Sequence, residues 1–475
     1  MQTDYDLVVI GGGAGGLTAA GMAALLGAKT ALIERDQLGG ECTWTGCVPS
    51  KCLIRAASIA HTMRTAEQFG FEPVVPKMSL TAVFDRMRAI QQQIYEEADA
   101  PPNMEKLGVE VIRGSAAFVD PHTITVDGKS IRSRFFVIAT GSAPRRPAFD
   151  AAVLTNETIF ELTAQPGHLV VVGAGPVGVE LAQAFRRLGS EVSVVAAGPE
   201  ILPKDDRELA ATLREGLQAE GIRFFLETRA SAATNRGSAI QVRLSNNRLL
   251  DCDTVLAATG REVSTGPLRL DLAGVQATDR GIVVDKQCRT SASHIYAVGD
   301  VTGQYLLTHM AEHMAKVAIT NCLLRWPRSI DRTVPWCTFT SPELAHTGCR
   351  EQDCKQGEIS VLRHPFRHTD RAVIDGEVEG TVKVVIDKRG RVLGASILGP
   401  DAGELIQMWS LAVRQRLNVA DVAGTIHPYP TYSLANRKAA DRWEERWLDS
   451  STLKLVGRLL GYRGVSRGSS ALHRQ

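Results

Sequence analysis

Two cysteines, Cys42 and Cys47, stand five positions apart in the stretch Gly39–Lys51. Cysteine reacts as its thiolate, so a pair this close can take up electrons or bind a soft acceptor. Spacing alone does not carry that reading, because Cys349 and Cys354 repeat it. The second pair lies in a charged segment with no cofactor motif beside it and reads as two unrelated surface thiols. Context separates the first pair. Gly39 and Gly40 precede it, Gly46 lies inside it, and Pro49, Ser50 and Lys51 follow.

The elements that must position this pair begin just upstream. Residues 5–10 read as a buried strand, the glycines between Gly11 and Gly16 as a turn, and the alanine-rich run to Leu26 as a helix. A second strand ends at Glu34. Strand, GxGxxG turn, helix, strand and acidic residue is the context in which Gly11, Gly13 and Gly16 let backbone approach a pyrophosphate and Glu34 accepts from a ribose. The pattern recurs. A strand at 169–172 runs into Gly173, Gly175 and Gly178, and the following helix carries Glu180. Its next strand ends in Ala196, Ala197 and Gly198, without the acid that would suit a free 2′-hydroxyl, which leans towards NADPH over NADH. Each unit is followed by an Ala-Thr-Gly close, at Ala139, Thr140 and Gly141 and again at Ala258, Thr259 and Gly260. In the stretch Ile295–Asp300 a strand delivers Asp300 to the mouth of a site, where it could bind a polyol hydroxyl; as a bare helix cap it would serve the helix from Leu306. Further helices are predicted from Leu53 and over 81–99, the latter ended by Pro101 and Pro102. From about Val334, strands near 380–387 and 392–398 with a helix over 403–416 read as a separate α+β domain.

The chain has 475 residues, enough for two or three domains, with the apolar and charged content of a globular protein. A net charge of +2 gives no reason to expect nucleic-acid binding. Nine cysteines, an odd number thinly spread, suit a reducing compartment. The uncharged stretch 7–28 is of membrane-spanning length, but its glycines favour a turn and Asp4 and Asp6 stand where a signal peptide carries Lys or Arg. The expected location is cytoplasmic.

On these motifs the chain resembles the class I flavoprotein disulfide reductases, the family of dihydrolipoamide dehydrogenase, glutathione reductase and mercuric reductase. The resemblance runs from Tyr5 to about Trp443. It implies an α/β fold with two Rossmann-like dinucleotide-binding domains and a C-terminal α+β dimerisation domain. The divisions would be 1–148 and 263–332 for FAD, 149–262 for NADPH or NADH, 333–450 for a homodimer interface, and 451–475 as a basic tail. It also implies a redox-active Cys42–Cys47 disulfide, with Cys47 next to the flavin and Cys42 facing substrate. Lys51 and Glu180 would pair near the flavin, and Asp300 would contact its ribityl chain. A helix starting at Val48 and Pro49, with Lys51 nearby, would help to lower a cysteine pKa. No resident metal is expected, although a substrate metal could visit Cys42 and Cys47.

The departures bear on the acceptor. Disulfide-reducing members carry a histidine near the C-terminus and a glutamate five residues later, which act on the partner's thiols. Aligned on Pro430 and Thr431, this chain has Tyr429 and Leu434 there. Tyrosine, with an unperturbed pKa near 10, is a poor base. Mercuric reductases resemble this chain in that tyrosine, and a thiolate-bound metal ion needs no proton shuttle. His427 stands two residues away as a displaced candidate base. The chain lacks the C-terminal cysteine pair of mercuric reductases, its last cysteine being Cys354. Lys454, Arg458, Arg463, Arg467 and Arg474, interleaved with Leu453, Val456, Leu459, Leu460 and Tyr462, read first as a solvated or dimer-packed tail, with a basic amphipathic helix that could touch an anionic membrane or a protein partner as the alternative. The expected function is therefore an FAD-dependent NAD(P)H oxidoreductase resembling mercuric reductase. The alternatives are a dihydrolipoamide dehydrogenase-like disulfide reductase and an electron-transfer or redox-sensing flavoprotein working through a protein partner.

Overall fold

The computed structural model describes residues 3–237, 239–355, 357–448 and 451–462. Its contacts divide the chain into two units. One comprises residues 1–61, 75–196 and 228–331; the other comprises 62–74, 197–227 and 332–475.

In the first unit, strands Thr30–Glu34, Tyr5–Ile10 and Lys129–Ile138 lie side by side and parallel, with Val109–Arg113 and Ile295–Ala297 at the flanks. Leu7, Val8, Val9 and Ile10 are fully or almost fully buried, as expected for a parallel strand covered on both faces. The 10-residue strand Lys129–Ile138 changes role along its length. Its first residues pair antiparallel with Thr123–Val126, and its last join the parallel sheet. Helix Ala14–Leu25 buries Gly15, Gly16, Ala19, Ala20 and Ala23, a small-residue face that permits close packing. A second parallel set places His168–Val172 between Glu191–Val195 and Thr254–Ala257. Helix Pro176–Leu188 follows its first strand, opened by Pro176 and closed by Gly189 at φ 114°. The helical run predicted over 81–99 ends at Asp99, as expected, but Pro101 and Pro102 do more than end it. The helix Leu80–Ile94 passes through a wider turn at Tyr95–Asp99, and the prolines then open a new helix, Pro101–Lys106. Proline is tolerated in a first helical turn, whose N–H groups have no partner within the helix.

The second unit is built on a five-stranded antiparallel sheet. Its order is Trp336–Thr338, Glu343–Gly348, Val392–Gly399, Thr381–Asp387, Ile359–Pro365. Helix Ala402–Gln415 lays Leu405, Ile406, Trp409 and Ala412 on this core at spacings of one helical face. The Trp409 indole donates to Asn436 Oδ1 at 2.8 Å, so its polar edge is satisfied inside the core. Helix Ser451–Leu459 follows, with Leu453, Leu455, Val456, Leu459, Leu460 and Tyr462 exposed. Arg463, Arg467 and Arg474 of the expected basic tail lie outside the described residues. Among the described residues no helix is long and apolar enough to cross a membrane.

Candidate active site

Helix Cys47–Arg64 begins at Cys47 itself. Leu53, Ala57 and Ala60 repeat on its buried face and fix its rotation. Cys47 therefore occupies the first turn, where N–H groups without helical partners favour an anion. Cys42 lies on the preceding short helix, Gly40–Trp44. The sharp entry into that helix needs Gly39 at φ 99°, and a side chain there would also meet Thr43 and Asp99. Thr43 donates to Asp99 at 2.7 Å, and Gln91 donates to the carbonyls of Thr43 and Trp44, so the turn between the cysteines is held on several sides.

Both cysteines are thiols here. Their pKa values are driven apart. Cys47 is lowered to about 6, first by a hydrogen bond from Cys42, helped by Thr308 and the charge of Lys51 and opposed by burial. Cys42 is pushed up by that same bond and by burial. The reduced pair thus holds a Cys47 thiolate with Cys42 as its donor. Thr308 Oγ1 stands 3.6 Å from Cys47 Sγ, at the start of helix Thr308–Ile319. Nothing in the sequence pattern had marked Thr308, since only the fold brings it 261 positions back to Cys47.

Lys51 Nζ lies 2.7 Å from Glu180 Oε2. Glu180 is buried and Lys51 half-buried, so the expected pair forms and holds the ammonium one helical turn from Cys47.

The glycine positions test whether dinucleotides fit. A side chain at Gly11 would strike the Ala139 carbonyl at 2.4 Å, and one at Gly16 would strike the Gly11 carbonyl at 1.8 Å. Gly173 and Gly178 repeat this against Ala258 and Gly173 at 2.1 Å each. At Gly13 the nearest atom stands at 3.8 Å, and at Gly175 nothing lies within 4 Å. Each loop thus has two glycines dictated by packing and a middle one facing open space, as a pyrophosphate cradle requires. Gly141 (φ 70°) and Gly260 (φ 105°) are likewise open, each ending its strand-to-loop close; Thr140 is exposed beside Gly141. Glu34 accepts from Gly12 N–H at 2.6 Å and from Asp36 N–H at 2.8 Å, which braces the first turn.

Asp300 sits in a short turn after the strand Ile295–Ala297. It is not the cap of the next helix, which is preceded by Leu307. Its carboxylate accepts from Ser142 at 2.7 Å and lies 3.4 Å from Arg261. Arg261 also pairs with Glu41, which accepts from Asn156 at 3.0 Å. Burial pushes the Glu41 carboxyl up to about 7 despite Arg261. Glu41, Ser142, Asn156 and Arg261 were not singled out from sequence. Glu41 beside Cys42, and Arg261 directly after Gly260, were the available signals.

In the second unit, Tyr429 is 71 % exposed and its hydroxyl donates to Asp370 at 2.9 Å. His427 is 7 % exposed, with Nδ1 2.9 Å from the Ser433 carbonyl. Leu434 is buried. Cys349 and Cys354 correct the sequence reading. They are not unrelated thiols but are joined as a disulfide, because a turn at Glu351–Asp353 brings their chains together.

Residues 5–315 match the family described as Pyridine nucleotide-disulphide oxidoreductase, and residues 334–440 match its dimerisation domain. The chain is 36 % identical over 454 residues to a dihydrolipoyl dehydrogenase of Thermus scotoductus, covering 93 % of this chain and 97 % of that one. It is 33 % identical over 440 residues to a mercuric reductase of Bacillus cereus, covering 90 % of this chain and 70 % of the relative. The Cu(II) complex of the HOCl-induced flavoprotein disulfide reductase RclA from Escherichia coli superposes with a TM-score of 0.84 at 27 % identity, covering 93 % of this chain and all of that one. Dithiol, lysine–glutamate pair, duplicated cradles and dimerisation domain occur together in one sequence, and the chain belongs to the pyridine nucleotide-disulphide oxidoreductase family, an FAD- and NAD(P)H-dependent class of enzymes.

Proposed function

We propose that the protein uses NAD(P)H to reduce an acceptor that binds directly to the Cys42 and Cys47 thiolates, of which a soft metal ion is the leading class. The observation that carries this reading is the pair Tyr429 and Leu434 at the positions where a proton relay is expected. Reducing a disulfide consumes two electrons and two protons. Reducing a thiolate-bound metal ion by two electrons consumes none. A positioned acid–base group is commonly worth about 10²–10⁴-fold, so its absence weighs against acceptors that need protons. His427 does not readily supply the relay, being buried with Nδ1 held on the Ser433 carbonyl.

Gly11, Gly13 and Gly16 with Glu34 and Asp300 would hold FAD, and Gly173, Gly175 and Gly178 the nicotinamide dinucleotide. Bound FAD supplies the two-electron connection between NAD(P)H and the thiol pair. The chain's own residues do the rest. Glu180 fixes Lys51, and Lys51 with Thr308 keeps Cys47 ionised. Cys42 gives up its proton as the acceptor arrives and becomes its second ligand. The absence of an acid at Ala196 and Ala197 supports NADPH, and equal kcat/KM with NADH would overturn that preference.

A second reading, reduction or oxidation of a dihydrolipoamide-type dithiol, is favoured by the relatives named dihydrolipoyl dehydrogenase. One assay separates the two. NAD(P)H oxidation is followed with thiol-buffered Hg(II), Cu(II) or lipoamide, for the holoenzyme and for Cys42→Ser. Metal-dependent turnover that is lost in the variant supports the first reading. Efficient lipoamide turnover replaces it with the second.

A further inference from the structure

The Cys349–Cys354 disulfide stands apart from the chemistry above and has surroundings of its own. Cys349 is anchored. It directly follows the strand Glu343–Gly348, its N–H donates to the Leu393 carbonyl at 2.9 Å, and its backbone lies hard against Gly394. Cys354 instead lines a cavity of about 470 Å³, whose lining does not include Cys349. Neither cysteine is buried.

The cavity wall is charged with both signs. Lys383, with 3 % of its side chain exposed, lies 2.8 Å from Asp206, 2.9 Å from Glu208 and 2.7 Å from Glu351. Arg363 bridges Glu208 and Glu351 at 3.1 and 2.8 Å, and exposed Arg207 adds a further cation. Buried Lys383 and Asp206 fix the floor. Arg207 and Arg363 with Glu208 and Glu351 make a rim of mixed, largely paired charge, which a ligand carrying one charge of each sign can enter without leaving a net charge uncompensated. The turn between the cysteines is braced separately. Arg350 pairs with Asp353, and Gln352 donates to the Asp205 carbonyl at 2.9 Å.

We propose that Cys349–Cys354 is a second thiol–disulfide exchange site, opened at Cys354 by a small thiol that bears both a carboxylate and an ammonium group. The incoming thiolate forms a bond to Cys354 Sγ as the Cys349–Cys354 bond breaks. Cys349 departs as a thiolate and takes a proton from solvent. A second molecule of the thiol then displaces Cys354, releasing the small disulfide. Two thiols thus give two electrons and two protons to the protein, and an excess of the small disulfide reverses the reaction. The cavity selects Cys354 as the sulfur attacked, since rates depend on which sulfur can be reached.

The test uses full-length holoenzyme carrying Cys42→Ser and Cys47→Ser, so that no other redox pair contributes. Alkylation in denaturant followed by peptide mass spectrometry should find Cys349 and Cys354 linked in aerobically purified protein and free after cysteine treatment. Expressed per thiolate, free cysteine should open the bond about tenfold faster than cysteamine or 3-mercaptopropionate, with the advantage shrinking in high salt. Adding Cys349→Ser should leave Cys354 to trap cysteine from cystine as a mixed disulfide. Adding Cys354→Ser should leave Cys349 trapping it at least about tenfold more slowly. Unlinked cysteines in the aerobic protein, a bond inert to cysteine, equal rates for the three thiols, or equal trapping in the two variants would each overturn the proposal.

Discussion

Two cysteine pairs of identical spacing occupy this chain, and they have been given opposite surroundings. Cys47 opens an 18-residue helix, with Lys51 one turn away and Thr308 at 3.6 Å. Cys349 and Cys354 bracket a three-residue turn, where the neighbouring charges satisfy one another, as Arg350 does with Asp353. The first pair is present as thiols and the second as a disulfide. Spacing therefore decides only that two sulfurs can meet. What faces the sulfur decides its acidity: Cys47 is held low first by the hydrogen bond from Cys42, with Thr308 and the Lys51 ammonium beside it.

The largest test of this contrast is Cys42→Ser. Acceptor turnover should fall by at least about 10³-fold, while NAD(P)H still reduces the flavin in stopped flow. Retained turnover would show that the helix-borne pair is not the one at work. Glu180→Gln comes next. It removes the partner that fixes Lys51, and turnover should drop roughly tenfold while FAD content is unchanged.

Lys51→Met probes the electrostatics directly. In the dithiol enzyme, iodoacetamide labelling of Cys47 should rise with a midpoint near pH 6. The sign follows from an acid whose pKa is depressed: the thiolate persists above that pH and is lost as pH falls through it. Removing the ammonium should move the midpoint up by about one unit. An unmoved midpoint would assign the effect to Cys42, Thr308 and the helix start without Lys51. Thr308→Val should move it by about half a unit in the same direction, since one weak donor to sulfur is removed. Tyr429→Phe should be the smallest, changing metal-ion turnover by less than about threefold, because the lost hydroxyl bonds an exposed Asp370. Beside it, His427→Ala should lower stability by about 2 kcal/mol in urea unfolding while kcat holds, as expected for a buried side chain with a structural bond.

Much of this site was legible because its signals are local. Gly11, Gly13 and Gly16 announce themselves through neighbours within one strand, turn and helix, and Cys42 and Cys47 through the residues that flank them. One feature near a predicted boundary was missed. The helical run ends at Asp99 as expected, with Ala100 extended before the proline, but Pro101 also starts a helix, because a missing N–H costs little in a first turn. Thr308, Arg261 and Asn156 were not legible, because each acts through a contact more than 100 positions away. The Cys349–Cys354 bond was missed for a related reason. Five positions is an ordinary separation on a surface, and only the turn at Glu351–Asp353 makes it a closure.

The placement of Cys47 at a helix start also gives the Cys42–Cys47 bond a polarity. When an external thiolate attacks a disulfide, the sulfur of lower pKa is expelled faster. Attack at Cys42 ejects the Cys47 thiolate, which Thr308 and the charge of Lys51 stabilise, whereas attack at Cys47 must eject Cys42, which burial and the charge of Asp99 disfavour as a thiolate. The oxidised pair is thus an asymmetric electrophile, receptive at Cys42 and resistant at Cys47. An enzyme oxidised at this site would form its mixed disulfides on a single sulfur, leaving Cys47 as the thiolate that resolves them.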